Sequence, residues 1–270
     1  MLVASSRMYN VAPEVRSLWD GFFDWLSRQA DADLEIVAHD APAPLSELWQ
    51  RPDLGAVFMC GYPFISMAPE LRPIALAAPV ALAAWSQAKP LYASHIVVAA
   101  NNAAKTPKDL FGMTFGWTVR DSQSGYHALR RFLLEGFSSE FRDALPPAKG
   151  PFLNPTGIIQ AVREGLVDAG PVDAYAFELL RVHAPEKISG VKVIATTPST
   201  PCPLLIASRG TPHSLSDNLR NALLSAHEDA EGAKWLESLQ LRRFAEVAID
   251  DYAILAEYPG RIELESLHAW

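Results

Sequence analysis

Apolar residues follow two different spacings along the chain, and together these predict alternating strands and helices. Short runs of consecutive apolar residues predict buried strands, at residues 2–6, 33–38, 56–60, 91–100, 113–119, 167–172, 191–196 and 204–207. Apolar residues three and four positions apart predict amphipathic helices, at residues 13–26, 45–49, 126–136, 155–166, 173–181, 217–229 and 233–239. Strands that alternate with helices indicate an α/β architecture, in which ligands bind beyond the carboxyl ends of the strands.

The helix start within residues 122–136 is the strongest candidate for a binding site. Ser122 and Ser124 are residue types that cap helices, and Gly125 allows the backbone to approach a ligand closely. From Tyr126 onward the apolar spacing is helical, and Gly136 provides a left-handed stop. A helix N-terminus carries partial positive charge and N–H groups without intrahelical acceptors, so this segment predicts an anion site. An ordinary capped helix is the alternative.

Two further helix starts are rich in small polar residues. One is the loop before Pro13, a favoured first helical residue, and the other is segment 154–157, Asn-Pro-Thr-Gly. Loops 8–10 and 61–64 follow predicted strands and are expected where ligands bind in α/β sheets. Three such helix N-termini, converging on one cleft, would form a site for a small anion.

Composition narrows the class of partner. The 270 residues suffice for one large domain or two lobes, and 49% apolar with 20% charged residues is typical of a globular protein with a full core. The net charge of −8 argues against a nucleic-acid or anionic-membrane partner. The longest apolar stretch, residues 74–85, is broken by Pro79 and is too short for a membrane span.

The sequence contains no pattern typical of a catalytic or metal centre. Its seven histidines show no metal-ligand spacing, and no Walker, dinucleotide or zinc motif is present. Ser124-Gly125 lacks the preceding glycine of a nucleophile elbow. We therefore predict no catalytic residue, no metal and no cofactor.

The compartment is indicated by the N-terminus and the cysteines. Residues 1–8 lack the basic start, long apolar centre and small-residue cleavage site of a secretory leader. As written, the chain is expected in the cytoplasm; a leader that was removed or lies upstream would place it in the periplasm. Cys60 and Cys202 are expected as buried thiols, and one disulfide is the alternative in an oxidising compartment.

Seven short segments, in order along the chain, carry a resemblance to a known family. They are Met8-Tyr9 with Pro13-Glu14-Val15-Arg16, Cys60-Gly61-Tyr62-Pro63-Phe64, Tyr92-Ala93-Ser94-His95-Ile96-Val97-Val98, Asp109-Leu110-Phe111-Gly112, Ser122-Gln123-Ser124-Gly125, residues 161–173, and Pro201-Cys202-Pro203. With these segments the chain resembles the substrate-binding proteins of phosphate, phosphite and phosphonate ABC transporters over nearly its whole length.

The resemblance implies a type 2 periplasmic-binding-protein fold. In that fold two α/β lobes, each a mixed, mainly parallel sheet flanked by helices, are joined by two crossing strands and hold the ligand between them. Residues 91–100 would be the outgoing crossing and 202–207 the return. The first lobe would comprise residues 1–90 and 208–270, and the second lobe residues 91–207 with both crossings. The implied partners of such a monomer are a small anionic or zwitterionic ligand and an ABC permease.

The resemblance also implies a set of ligand-binding residues. Ser122, Ser124 and Gly125 match the serine-rich turn that holds the anion's oxygens by hydroxyls and N–H groups. The other expected contacts are Gln123 and Tyr126 in the same turn, Tyr92 and Ser94 on the crossing strand, Tyr9 and Tyr62 on first-lobe loops, Thr156, and Asp173, which matches an acidic residue facing a ligand amino group. For Tyr9 and Tyr62 packing is the alternative, and for Asp173 a plain helix cap.

One position departs from the family pattern and leaves alternatives open. Phosphonate binders place a histidine at the start of the second-lobe helix; that position is Pro155 here, which offers no N–H donor. The ligand is therefore left open to small anions or zwitterions other than an aminoalkylphosphonate. Arg120 either supplies the missing charge or is a solvated arginine. A cytoplasmic biosynthetic enzyme acting on a cofactor precursor and a ligand sensor are the alternative functions on this fold.

Overall fold

The computed structural model describes residues 1–136 and 147–257, which form two compact units. The first unit comprises Met1–Leu91 and Pro201–Tyr252, and the second comprises Tyr92–Thr200 with the described residues after Tyr252. Each unit contains a mixed sheet and helices, which confirms the expected α/β class with two lobes. No helix in these two described stretches is long and apolar enough to cross a membrane.

Strands and helices alternate along the chain. The strands are β1 (Leu2–Ser5), β2 (Leu34–Ile36), β3 (Leu54–Met59), β4 (Ile74–Ala81), β5 (Leu91–Tyr92), β6 (Ser94–Ala99), β7 (Phe115–Gly116), β8 (Ala148–Lys149), β9 (Ala169–Asp173), β10 (Val191–Thr196), β11 (Thr200–Pro201), β12 (Leu204–Ala207) and β13 (Leu241–Ala245). The α-helices are α1 (Pro13–Gln29), α2 (Leu45–Trp49), α3 (Gly61–Ser66), α4 (Ala128–Gly136), α5 (Pro155–Arg163), α6 (Ala174–His183), α7 (His213–Ser225) and α8 (Ala230–Ser238). A π turn at Gln123–His127 leads directly into α4.

The first unit is built on a six-stranded sheet in the order β13-β4-β12-β3-β1-β2. β1 pairs in parallel with β2 and β3, whereas β12 runs antiparallel to β3 and β4, and β13 runs antiparallel to β4. Helix α1 buries aromatic side chains, and the Trp19 ring meets Phe58 of β3 edge-on with 5.0 Å between ring centroids. The helix that begins at Pro13 is therefore anchored by a large apolar core.

Two strands of this sheet, β4 and β13, are absent from the sequence-based prediction. Pro79 interrupts the apolar run of β4, and β13 reads Leu-Arg-Arg-Phe-Ala, which is short and charged. The pairing of β4 with β12 extends to Ala77, and Pro79 lies opposite Phe244 of β13. Proline has no N–H to donate to a neighbouring strand. It is tolerated at this position because β4 no longer pairs with β12 there.

Both cysteines belong to the first unit. Cys60 follows β3 and Cys202 precedes β12, and both are buried thiols. The Cys202 thiol donates a hydrogen bond to the Pro79 carbonyl oxygen at 3.2 Å. Of the two alternatives for the cysteines, the structure therefore shows the buried thiols.

The second unit is built on a five-stranded sheet in the order β10-β6-β9-β7-β8. β6 runs antiparallel to β9 and β10, and β7 runs parallel to β8 and β9. One buried cluster joins this sheet to α4, and it consists of Ile96, Val98, Leu110, Phe115, Tyr126, Leu129, Leu133 and Ala169. Because Tyr126 belongs to the π turn, the cluster fixes the start of α4 against β6 and β9.

The structure differs from the sequence-based expectation at several boundaries. Strand β12, expected in the second lobe, is hydrogen-bonded in the first unit's sheet, where its four apolar residues are fully buried between β3 and β4. The strand expected at 113–119 is shorter and consists of β7 alone, Phe115–Gly116. The helix expected to reach residue 166 is α5, which ends at Arg163, and Leu166 is exposed. The sheets are not mainly parallel, because β12 and β13 in the first and β6 in the second pair antiparallel.

Candidate functional site

The serine-rich segment forms a π turn that opens into α4. Ser122 is its N-cap, and the Ser122 hydroxyl oxygen accepts a hydrogen bond from the Gly125 N–H at 3.0 Å. The Ser122 carbonyl oxygen accepts from the His127 N–H at 3.2 Å, a five-residue step that is typical of π turns and often occurs at functional sites. The N–H groups of Gln123 and Ser124 come first in the turn, where a helix offers no intrahelical acceptor. N–H groups at such a position favour a nearby negative charge.

Thr118 holds the two helix starts of the second unit together. Its N–H donates to the Gly125 carbonyl oxygen at 3.1 Å, and its own carbonyl oxygen accepts from the Leu153 N–H at 3.2 Å. Asn154 then caps α5, and its Oδ1 accepts a hydrogen bond from the Thr156 hydroxyl at 2.7 Å. The Thr156 hydroxyl proton is therefore donated to the residue that caps α5. Thr118 therefore connects the start of α4 with the start of α5, which are two of the three helix starts singled out in the sequence.

Two buried side chains at the turn have polar atoms that no described residue satisfies. Gln123 is fully buried and neither its Oε1 nor its Nε2 has a hydrogen-bond partner in residues 1–136 and 147–257; the same holds for Thr118 Oγ1. Thr118 Oγ1 faces the turn, since a Cβ placed on Gly125 would lie 1.9 Å from it. An unsatisfied buried polar group costs about 1–3 kcal/mol, so each of these groups requires a partner from outside the described protein atoms.

A chain of hydrogen bonds connects the turn to β6 and α6. The Ser94 hydroxyl donates to the Ser124 carbonyl oxygen at 2.8 Å. The Ser124 side chain lies near the Asp173 carboxyl group. Asp173 lies opposite Ser94 in the β6–β9 register, and its Oδ1 accepts from the Tyr175 and Ala176 N–H groups at 2.9 and 3.1 Å. Asp173 is therefore the cap of α6 and also a partner of the serine turn.

The Asp173 carboxyl group is in an environment that disfavours its charge. Its side chain is buried, and burial raises the pKa of Asp173 to about 6, although the N–H groups at the start of α6 and the Ser124 hydroxyl act in the opposite direction. A negative charge next to an anion site also repels the ligand, by roughly 1 kcal/mol in water and about 4 kcal/mol at an effective dielectric of 20 for a separation of about 4 Å. The turn therefore combines N–H groups at a helix N-terminus with a buried acid.

A buried histidine, His127, ends the π turn, and a buried arginine, Arg130, lies in the first turn of α4. The Arg130 Nη1 donates to the Tyr126 hydroxyl at 3.0 Å, and its guanidinium carbon lies 5.0 Å from the centroid of the Tyr126 ring. Burial lowers the pKa of His127 to about 4, the positive charge of Arg130 adds to this effect, and a hydrogen bond with the Arg120 backbone opposes it. His127 is therefore neutral at physiological pH. Arg120 is exposed, which agrees with the solvated alternative given for it. Its guanidinium carbon lies 5.5 Å from the centroid of the Trp117 ring.

The three predicted tyrosines outside the turn have different surroundings. Tyr92 is in β5 and is buried. In the first unit, Tyr9 is 1% exposed and its ring meets Phe58 edge-on at 5.0 Å between centroids, which is the packing arrangement named as its alternative. Tyr62, near the start of α3, is partly exposed. Pro155 is the first residue of α5 and offers no N–H, as the sequence indicates.

The predicted residues that the structure joins by direct contacts lie in the second unit: Ser94, Ser122, Ser124, Gly125 and Asp173, with Gln123 and Tyr126 in the same turn. Sequence reasoning missed Thr118, His127 and Arg130. Arg130 follows Tyr126 by four residues, one helical turn, and that spacing was the available signal. Thr118 fell inside a predicted strand and gave no signal. Within the described residues, no group of three or more His, Cys, Asp or Glu side chains is arranged to hold a metal ion.

Solved structures similar to this chain share its fold. A binding protein component of an ABC phosphonate transporter from Pseudomonas aeruginosa is 18% identical, with a TM-score of 0.79 over 99% of this chain and 90% of that one. PhnD1 from Prochlorococcus marinus in complex with methylphosphonate is 17% identical, with a TM-score of 0.77 over 97% and 98%. The R. palustris protein Rpa4515 with adipate is 11% identical, with a TM-score of 0.66 over 100% and 97%. These similarities establish the fold, and the variety of bound compounds shows that the fold alone does not determine the ligand.

Sequence comparison identifies the family more directly. No curated protein matches the chain significantly. Residues 9–252, however, match the family described as "ABC transporter, phosphonate, periplasmic substrate-binding protein". That family consists of ligand-binding transport components rather than enzymes, so the enzyme alternative is set aside. The chain belongs to the periplasmic substrate-binding proteins of phosphonate ABC transporters.

Proposed function

We propose that this protein delivers a small phosphonate- or phosphate-like oxyanion to an ABC permease, and that the turn at residues 122–125 binds the oxyanion headgroup. One observation carries the proposal: at this helix N-terminus the buried Gln123 amide and Thr118 hydroxyl have no hydrogen-bond partner among the described residues. Family membership supports it, as does the methylphosphonate bound to the similar P. marinus protein. The family is periplasmic, and we propose that compartment for this chain.

The binding residues follow from the contacts of the second unit. The proposed headgroup contacts are Ser122, Gln123, Ser124 and Gly125, with Tyr126, Tyr92, Ser94 and Asp173 around them. Tyr9 and Tyr62 of the first unit and Thr156 of α5 stay predictions. Because the whole protein carries a net charge of −8, recognition of an anion has to come from these local N–H groups and hydroxyls and not from the overall field.

A ligand screen tests the proposal. Phosphate, phosphite, methylphosphonate, 2-aminoethylphosphonate, sulfate and adipate are compared by thermal shift and then by isothermal titration. A ligand at about 100 times its dissociation constant stabilises the native state by roughly 2.7 kcal/mol, which is readily detected. We expect a clear shift with at least one phosphorus oxyanion. A response to adipate alone, with every phosphorus compound silent, would contradict the proposed ligand class.

A further inference from the structure

The strand order of the first unit's sheet reverses at β1. The chain passes from β1 through α1 to β2 on one side, and then through α2 to β3 on the other side, and β1 is parallel to both. In open α/β sheets a ligand binds beyond the carboxyl ends of the strands at such a switch point. The loop at residues 6–10 follows β1 directly and therefore occupies that position within the first unit.

Arg7 in this loop has a guanidinium group without a partner among the described residues. The group makes neither a hydrogen bond nor an ion pair there, and its Nε atom is buried. The charge of Asp40 acts on Arg7 from a distance, but the ion pair of Asp40 is with Arg16, at 3.6 Å. A buried donor that lacks an acceptor costs free energy, so the Arg7 guanidinium calls for an acceptor from outside the described protein atoms.

The outer end of the Arg7 side chain reaches solvent. The residue is partly exposed, and Nε is the one guanidinium nitrogen that is buried without an acceptor. Burial lowers the pKa of Arg7, and the negative charge of Asp40 opposes this effect, yet an arginine stays protonated at physiological pH. Because the group is partly withdrawn from water, its attraction for an anion is stronger than that of a fully solvated arginine.

Asn10 adds a second donor to the same loop. Its Oδ1 accepts a hydrogen bond from the Ser6 hydroxyl, which leaves the two N–H bonds of its Nδ2 to donate. Arg7–Tyr9 forms a 3-10 turn, in which side chains three positions apart lie one above the other, so Arg7 and Asn10 face the same side. The loop therefore offers guanidinium and amide donors to a group that only accepts hydrogen bonds.

A carboxylate is the group that matches these donors. It is planar and accepts two parallel hydrogen bonds from the fork of a guanidinium. We propose that Arg7 and Asn10 bind a carboxylate of the transported compound, which is therefore a phosphonate that also carries a carboxylate and not an aminoalkylphosphonate. This inference rests on the proposed function, in which the turn at residues 122–125 binds the phosphorus headgroup, and it names the substrate class.

Two pairs of matched compounds test the proposal. Phosphonoacetate and ethylphosphonate differ by a carboxylate in place of a methyl group, and 3-phosphonopropionate and propylphosphonate form the same pair with one more methylene. A hydrogen bond to a charged group strengthens binding by about 10- to 100-fold, and we expect at least one carboxylate compound to exceed its alkyl partner by that factor in isothermal titration.

Methylphosphonate, which has only the headgroup, is titrated alongside. If it binds and neither carboxylate compound binds more tightly than its alkyl partner, this inference alone is wrong. If no phosphonate binds the wild-type protein, the proposed function fails together with the inference.

Variants of two arginines assign the preference to Arg7. Arg7→Met keeps a long side chain without the charge and the donors, so the ratio within the preferred pair should fall to about 3-fold or less while the alkyl compound keeps its wild-type affinity. Arg7→Lys keeps the charge without the planar fork and should retain part of the ratio. Arg16→Met removes the same charge from the ion pair with Asp40 and should leave the ratio unchanged. An unchanged ratio in Arg7→Met, or an equal loss for both compounds, overturns the assignment.

Discussion

Asp173 and His127 should give the second unit opposite and nearly cancelling dependences of stability on pH. Burial raises the pKa of Asp173 from 3.8 to about 6, and burial together with Arg130 lowers the pKa of His127 from 6.5 to about 4. The contribution of Asp173 to stability is fully present below its unfolded pKa and is lost as the pH rises through about 6. The contribution of His127 is fully present above its unfolded pKa and is lost as the pH falls through about 4. Both changes fall in the same pH window.

The magnitudes follow from the size of the two shifts. Each is a little over two pKa units, and one unit corresponds to about 1.4 kcal/mol, so each group contributes about 3 kcal/mol across the window. In the wild-type protein the two contributions offset each other. Asp173→Asn leaves only the histidine, and the free energy of unfolding should fall by about 3 kcal/mol between pH 7 and pH 4 relative to wild type. His127→Gln leaves only the acid and should give the opposite slope.

Urea unfolding at a series of pH values measures these slopes, because the free energy of unfolding extrapolates linearly to zero denaturant. Asp121→Asn is the matched control, since Asp121 is an exposed carboxylate in the loop before the turn and its removal should leave the wild-type profile. Parallel profiles for wild type, Asp173→Asn and His127→Gln would refute the reasoning. They would mean that the two groups do not have the environments described for them.

Three further predictions concern single positions. Ser122→Asp should block phosphonate binding in titrations yet unfold like wild type, because aspartate is a good N-cap, whereas Ser124→Asp should also unfold more easily because it adds a second carboxylate beside Asp173. Gly125→Ala should lower the free energy of unfolding by roughly 1–3 kcal/mol through overpacking. Gly136→Ala should change it by less than about 1 kcal/mol, because no described residue outside its own helix has an atom within 4 Å of the new Cβ. Thiol titration of denatured, unreduced protein should find both cysteines reactive, and finding none would contradict the buried thiols.

Local patterns in the sequence were sufficient to predict the helix starts, because these depend on contacts between residues close together in the chain. The helix starts at segment 154–157 and at the serine-rich segment were predicted, and a helix cap was the alternative given for Asp173, because side-chain oxygens at helix N-termini act within three residues. The resemblance to the transporter family supplied the two-lobed class. Neither source gave the π register of the turn, since an α-helix and a π turn share the same apolar spacing over so few residues.

What the sequence could not show depends on contacts between distant residues. Thr118 is held against the turn by backbone hydrogen bonds with Gly125 and Leu153, and its side chain gives no periodic signal in the sequence. The burial of Gln123 is likewise set by the surrounding core and not by its neighbours in the chain. Strand β4 was hidden because Pro79 is read locally as a strand breaker, although its missing N–H is tolerable where β4 no longer pairs with β12.

The insertion of β12 between β3 and β4 has a consequence for the order of folding. The five strands of the second unit's sheet lie within one stretch of chain, Tyr92–Thr200, whereas the first unit's sheet lacks its middle strand until Leu204–Ala207 has been synthesised. At about 5–20 residues per second, β4 waits several seconds or more on the ribosome for that partner. During this interval β3 and β4 have unpaired edges of the kind that attract other strands. The sheet of the second unit is therefore expected to form first, and the first unit is expected to be the one that needs protection by a chaperone.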